Sequence, residues 1–139
     1  MKILFDTNVV LDLLIDRKPF STIAVQLFSK VEAQEIAGYL SATTVTTIHY
    51  LAGKVIGPNK AKKEIKKLLT LFNVAAVNRP VLEAALTSKF RDFEDAVLHE
   101  AARQVEVQGI VTRNVKDFKQ SKIHIYSPEE LLQILAARN

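Results

Sequence analysis

Lys2-Ile3-Leu4-Phe5-Asp6-Thr7-Asn8-Val9-Val10-Leu11-Asp12-Leu13-Leu14 changes its hydrophobic period in one short stretch. Lys2 to Phe5 is an apolar run of strand length, and Asp6-Thr7-Asn8 breaks it. Val9, Val10, Leu13 and Leu14 then recur at helical spacing. A buried strand that feeds directly into a helix is the unit of an α/β sheet. In such sheets the strand C-termini and the following helix N-termini share one edge, where ligands bind. Asp6 stands on that edge, either as an N-cap for the helix or as a group facing a ligand.

The pattern repeats outward from there. Arg17-Lys18-Pro19 stops the first helix, and Phe20, Ala24, Leu27, Phe28 and Val31 mark a second. Ile36 to Leu40 reads as the next strand, interrupted by Gly38. A helix after Ser41 or Thr43 carries Val45, Ile48, Leu51 and Ala52. Gly57-Pro58-Asn59 turns the chain into a helix with Ala61, Ile65, Leu68, Leu69 and Phe72 on one face. Val74 to Val77 is a third strand, and Pro80 opens a helix through Val81, Leu82, Ala85 and Leu86. A long helix is predicted over 93–108, closed by Gly109. Ile110 to Thr112 and Ile123 to Tyr126 are the last strands. Ser127-Pro128-Glu129-Glu130 is a capping box for a final helix through Leu131, Leu132, Ile134 and Leu135. No linker or repeat divides residues 1–139, so a single domain with a mainly parallel sheet covered on both faces is expected.

Composition narrows the chemistry. Of the residues, 48% are hydrophobic and 24% charged, as in ordinary folded proteins rather than disordered ones. There is no Cys, which excludes disulfides and thiolate metal sites, so a metal would be held by oxygen or imidazole, and with three scattered His oxygen leads. No segment reaches membrane-spanning length and no leader is recognisable at the N-terminus, so a cytoplasmic protein without membrane contact is expected. A net charge of +4 tilts the partner toward a polyanion.

Four groups of polar residues fall on the predicted ligand edge. Asp6 follows the first strand. Asp92 and Asp95, three apart with Glu94 between them, open a helix, where acids also favour the positive end of the helix dipole. Thr112-Arg113-Asn114 and Lys116-Asp117-Phe118 follow the fourth strand, as a ligand-bearing loop or as an ordinary turn. Thr43, Thr44, Thr46 and Thr47 follow the second, as phosphate contacts or as caps and helix surface. Converging carboxylates repel unless a cation lies between them, which points to a hard divalent metal and phosphoryl chemistry. We expect Asp6, Asp95 and Asp117 to meet at one end of the sheet, with Asp92 at the rim.

Phe5-Asp6-Thr7-Asn8-Val9-Val10-Leu11-Asp12, Asp92-Phe93-Glu94-Asp95-Ala96 and Thr112-Arg113-Asn114-Val115-Lys116-Asp117-Phe118, in this order, resemble a PIN domain over nearly the whole chain. The resemblance implies a three-layer Rossmann-like fold with five parallel strands and a Mg²⁺- or Mn²⁺-dependent ribonuclease acting on RNA. Many small members are the toxin halves of toxin–antitoxin pairs, so an antitoxin protein and a homodimer are implied partners. Carried over, Asp6 matches the first acid of the family and Asp95 the third, while the fourth falls on Asn114 or Asp117. Asp6, Asp95 and Asp117 are then the catalytic candidates, with Asp92 and Asn114 completing the metal ligands and Asn8, Thr47 and Arg113 touching substrate.

One position departs from the pattern. The second acid is expected several residues beyond Ser41, where Thr47 stands, and no acid occurs between Glu35 and Glu64. Asp92 or Glu94 is left to supply that charge. Without it, the chain would be a catalytically weak PIN-like module that binds RNA or protein. A phosphatase using Asp6 as nucleophile would want an acid two residues on, where Asn8 stands. Lys60, Lys62, Lys63, Lys66 and Lys67 are read as a solvated helix face rather than an RNA track. His49 is expected to be a hydrogen-bonded structural residue, and His99 is given no role.

Overall fold

β1 (Lys2–Phe5) is the central strand, and its residues Ile3, Leu4 and Phe5 are sealed from solvent. In the computed structural model, which describes residues 1–138, β2 (Ala37–Ser41) and β4 (Gly109–Val111) flank it. β3 (Asn73–Ala75) and β5 (His124–Tyr126) complete an all-parallel sheet in the order β3-β2-β1-β4-β5. Parallel pairing needs crossovers, and helices supply them: α1 (Thr7–Leu14), α2 (Ser21–Glu32), α3 (Ala42–Ile56), α4 (Pro58–Leu71), α5 (Arg79–Thr87), α6 (Phe93–Gln104) and α7 (Pro128–Ala137).

Successive side chains on a strand point to opposite faces, and β1 shows the consequence. Ile3 and Phe5 join one core with Val9, Leu27, Ile48, Leu68 and Leu131 from α1, α2, α3, α4 and α7. Leu4 joins the other with Val81 and Ala85 of α5 and Val97 and Ala101 of α6. Phe5, Phe28 and Phe72 form an aromatic triangle with centroids 5.1–5.5 Å apart. These are the three layers expected from the sequence.

Several boundaries move. The helix predicted to reach Gln108 ends at Gln104, and Glu106 takes a left-handed conformation (φ 56°) that reverses the chain into β4. Gly109, expected to close that helix, is the first residue of β4. Its need for glycine comes from packing: a Cβ there would collide with the Tyr126 ring. Gly38 stands on the other side of Ile3, in register with it, and a Cβ would lie 2.6 Å from the Phe72 ring. β3 occupies Asn73–Ala75 rather than residues 74–77. The capping box forms as expected, with Ser127 Oγ accepting from Glu130 N–H and the Glu130 carboxylate accepting from Ser127 N–H. His49 departs from expectation, because its buried Nε2 has no hydrogen-bond partner among the described residues.

Candidate active site

All five strands point the same way, so their C-termini gather residues distant in sequence on one edge. Asp6 follows β1 with extended backbone and caps α1, its Oδ1 accepting from Thr7 N–H at 2.7 Å. Capping uses one carboxylate oxygen. Oδ2 accepts from the Thr112 hydroxyl at 2.8 Å and from Asn8 Nδ2 at 3.4 Å. The two readings of Asp6, cap and site residue, are therefore compatible. Thr112, just past β4, was not singled out as an Asp6 partner, since a hydroxyl contact spanning 106 residues leaves no local signal.

α6 brings the next acids. Asp92 is its N-cap and accepts from Asp95 N–H at 2.9 Å, while Glu94 and Asp95 lie in the first turn. Burial, then repulsion from Asp6, Asp92, Asp117 and Glu94, pushes the Asp95 carboxyl up to about 7. Asp6 is raised as well, first by burial and further by Glu94 and Asp117, against the hydrogen bonds from Thr112 and Thr7 that lower it. Five carboxylates thus share one electrostatic field. Asp92, Asp95 and Asp117 line a cavity of about 570 Å³ with Arg91, Lys116 and Lys119.

A second buried acid shows what is unusual here. Asp12 on α1, only 1% exposed, is neutralised by two arginines: Arg17 Nε at 2.8 Å and Arg113 Nε at 2.7 Å. Asp6, 7% exposed, has no basic partner among the described residues, and neither has Asp95. A buried carboxylate without a counter-charge is costly unless it protonates or takes a cation. The donor set is all oxygen, which fits a hard divalent ion. As placed, no group of three or more His, Asp or Glu among the described residues has metal-holding geometry.

The other candidates lie as follows. Asn8 holds the edge together, donating to Asp6 and Thr112 and accepting from Arg113 N–H at 3.3 Å. The Arg113 guanidinium, a substrate-contact candidate, is engaged with Asp12 and stacks 3.9 Å above the Phe20 ring centroid. Asn114 is exposed just before a 3₁₀ turn, Val115–Phe118, its N–H donating to Thr112 Oγ1 at 3.0 Å. Thr47 on α3 donates to Glu94 Oε1 at 3.3 Å. Glu94 therefore stands beside the position at which the resemblance placed an acid. Position alone gives Asp12 no role in the sequence, since it lies mid-helix away from the sheet edge. Its partner Arg113 lies 101 residues away.

An all-parallel sheet between two helical layers, with acids at its C-terminal edge, defines the class: a three-layer α/β protein with a carboxylate-bearing sheet edge. A family model described as PIN domain matches residues 2–116. The chain belongs to the PIN domain family. Ribonuclease VapC1 of Aquifex aeolicus (strain VF5) is similar to it, 24% identical over 137 residues that cover 95% of this chain and 94% of the relative. The structure of a toxin–antitoxin complex from Klebsiella pneumoniae superposes with a TM-score of 0.69 at 23% identity, covering 91% of this chain and 97% of that one. VapC20 of Mycobacterium tuberculosis, described as a sarcin–ricin loop cleaving toxin, gives a TM-score of 0.63 at 19% identity, with 78% and 86% covered.

Proposed function

We propose that this protein is a divalent-metal-dependent endoribonuclease and the toxin half of a toxin–antitoxin pair. The observation that carries the reading is the uncompensated carboxylate field at the sheet edge, in which Asp6 and Asp95 are raised and lack basic partners among the described residues. The similarity to a protein named a ribonuclease, and to the solved structures of a toxin–antitoxin complex and of a sarcin–ricin loop cleaving toxin, supports the same conclusion.

Asp6, Asp95 and Asp117 would hold Mg²⁺ or Mn²⁺, with Asp92 and Asn114 at the rim. Glu94, hydrogen-bonded to Thr47, supplies the charge that Thr47 lacks. When bound, such an ion supplies Lewis acidity at the phosphodiester and lowers the pKa of water. The chain's own residues prepare that site. Thr112 and Thr7 fix the two oxygens of Asp6, and Asn8 ties them to the loop after β4. Asn8 and Thr47 remain substrate-contact candidates. Arg113 acts chiefly through Asp12, holding the loop that carries Asn114 and Asp117.

The antitoxin would place an Arg or Lys among the acids, a charge-assisted contact that excludes metal. The exposed α3 residues Tyr50, Leu51 and Val55 give a homodimer an apolar face. No helix among the described residues is long and apolar enough to cross a membrane. The cytoplasmic location belongs to the proposal, as the place where a toxin would meet cellular RNA.

The test is cleavage of a single-stranded RNA with and without Mn²⁺ or Mg²⁺. Activity is expected only with metal, and is lost on chelation and in Asp6→Asn and Asp95→Asn. Cleavage that survives all three would refute the reading. Thr47 at the expected acid position, and the lack of a metal-holding group of acids among the described residues, favour one competitor, a PIN-like binding module. In that case titration with Mn²⁺ would give no saturable binding while RNA or a partner protein is still bound.

A further inference from the structure

Beside the acidic cavity lies a second one, of about 510 Å³, between the end of α5 and the middle of α6. Gln120 lines both cavities, so they adjoin at that residue. Its charged walls are Lys89, Arg103 and Lys122 against a single acid, Glu100. That acid is already satisfied, by His99 Nδ1 at 2.8 Å and Arg103 Nη1 at 3.1 Å. The remaining ring nitrogen of His99 accepts from Lys122 N–H at 3.2 Å. A backbone N–H can only donate, so Nδ1 carries the proton and His99 is neutral, which its burial also favours. This buried pair fixes the backbone of Lys122 at the cavity wall. Lys89 and Lys122 have no ion-pair partner among the described residues. Phe90, against His99 with centroids 4.7 Å apart, adds an aromatic wall.

We propose that this cavity is a second subsite for single-stranded RNA, taking the nucleotide next to the scissile phosphate. Lys89, Lys122 and Arg103 contact its phosphate, and Phe90 stands beside its base. The proposal rests on the ribonuclease reading. Five carboxylates repel a phosphate chain, so a strand crossing them needs cations on its exit path. Arg91, Lys116 and Lys119 supply these in the acidic cavity, and the series continues over Gln120 to Lys122 and Lys89. Cations interleaved with an aromatic wall suit single strands, whose bases are free to stack. The lysines of α4 do not border either cavity. Lys67 lines a different cleft, with Leu68 and Phe28.

The experiment compares Lys89→Ala/Lys122→Ala with Lys63→Ala/Lys66→Ala. Affinity for a fluorescein-labelled single-stranded RNA is read by anisotropy in chelating buffer at several salt concentrations, and cleavage is followed in Mn²⁺. The first variant is expected to bind about tenfold more weakly and to lower the slope of log K against log salt by roughly 1.4, two phosphates at about 0.7 each. Its KM should rise with kcat held, while the α4 variant should match the unsubstituted protein. Lys89→Glu should lose more affinity than Lys89→Ala, and unchanged melting temperatures will show that both fold. RNA bound and cleaved normally by Lys89→Ala/Lys122→Ala would overturn this inference alone, as would losses confined to the α4 variant or to binding of a protein partner. If the unsubstituted protein neither binds nor cleaves RNA, the ribonuclease reading falls and this inference with it.

Discussion

Asp6 and Asp12 lie six residues apart on one helix and its cap, both buried, and the fold treats them oppositely. Asp12 is neutralised by Arg17 and Arg113, so removing its charge strands two guanidinium groups. Asp12→Asn should cost about 3 kcal/mol in urea unfolding, in the range for breaking a buried ion pair. Asp6 and Asp95 have no such partners among the described residues, and removing their charge should relieve repulsion. The pH dependence follows with a definite sign. The Asp95 carboxyl, pushed up to about 7 in the folded state from its ordinary 3.8, lets the folded state bind more protons between these limits. Stability of the metal-free protein therefore falls as pH rises through that window, and Asp95→Asn should flatten this part of the profile. The variant is expected to melt a few degrees higher than the parent above neutral pH; a large drop would make Asp95 a structural residue. Asp6 and Asp95 were legible because position alone, after a strand or at a helix start, marks them. The bonds of Thr112 to Asp6 and of Arg113 to Asp12 were not legible, since they span 106 and 101 residues. For the charge missing at Thr47 the sequence left Asp92 and Glu94 open, and only the fold shows Glu94 bonded to Thr47 across 47 residues.

Elements were legible where the sequence carries a stereochemical signal and less so where packing decides. Ser127 and Glu130 make both bonds of a capping box, and Ser127→Ala should cost about 1 kcal/mol. The end of α6 carried the opposite lesson. Glycine at 109 looked like a helix stop, yet a left-handed Glu106 makes the turn, and Gly109 serves the sheet instead. Gly38 and Gly109 flank Ile3 in register on β2 and β4, leaving space filled by the Phe72 and Tyr126 rings. Only the assembled core reveals that requirement. Gly38→Ala should destabilise by about 1–3 kcal/mol, the usual cost of overpacking, because Phe72 must leave its contacts with Phe5 and Phe28. Calorimetry of this variant checks it, and a neutral result would mean that the ring relaxes freely.

At the scale of the whole molecule, the parallel sheet makes chain-distant residues into one site. Thr47 from α3 and Glu94 from α6 meet at 3.3 Å, although one helix follows β2 and the other precedes β4. The missing acid on α3 and the added acid on α6 are thus two ways of putting charge at one place. Glu94→Gln should lower metal-dependent cleavage and weaken Mn²⁺ binding. Thr47→Glu alone should not help, because it sets two carboxylates against each other and adds to the repulsion already raising Asp6 and Asp95. The double variant Glu94→Gln/Thr47→Glu moves the charge from one helix to the other and should recover much of the loss. Asp6→Asn and Asp95→Asn, which remove charge with no compensation, should each cost about a hundredfold in rate, near 2.7 kcal/mol of transition-state stabilisation. Thermal shifts with Mn²⁺ give an independent readout, since an ion that binds only the folded state raises the melting temperature. That shift should vanish in Asp6→Asn, shrink in Glu94→Gln and return in the double variant. Recovery of neither the shift nor the rate in the double variant would mean that Glu94 acts through its bond to Thr47, as a positioning residue, and not through its charge.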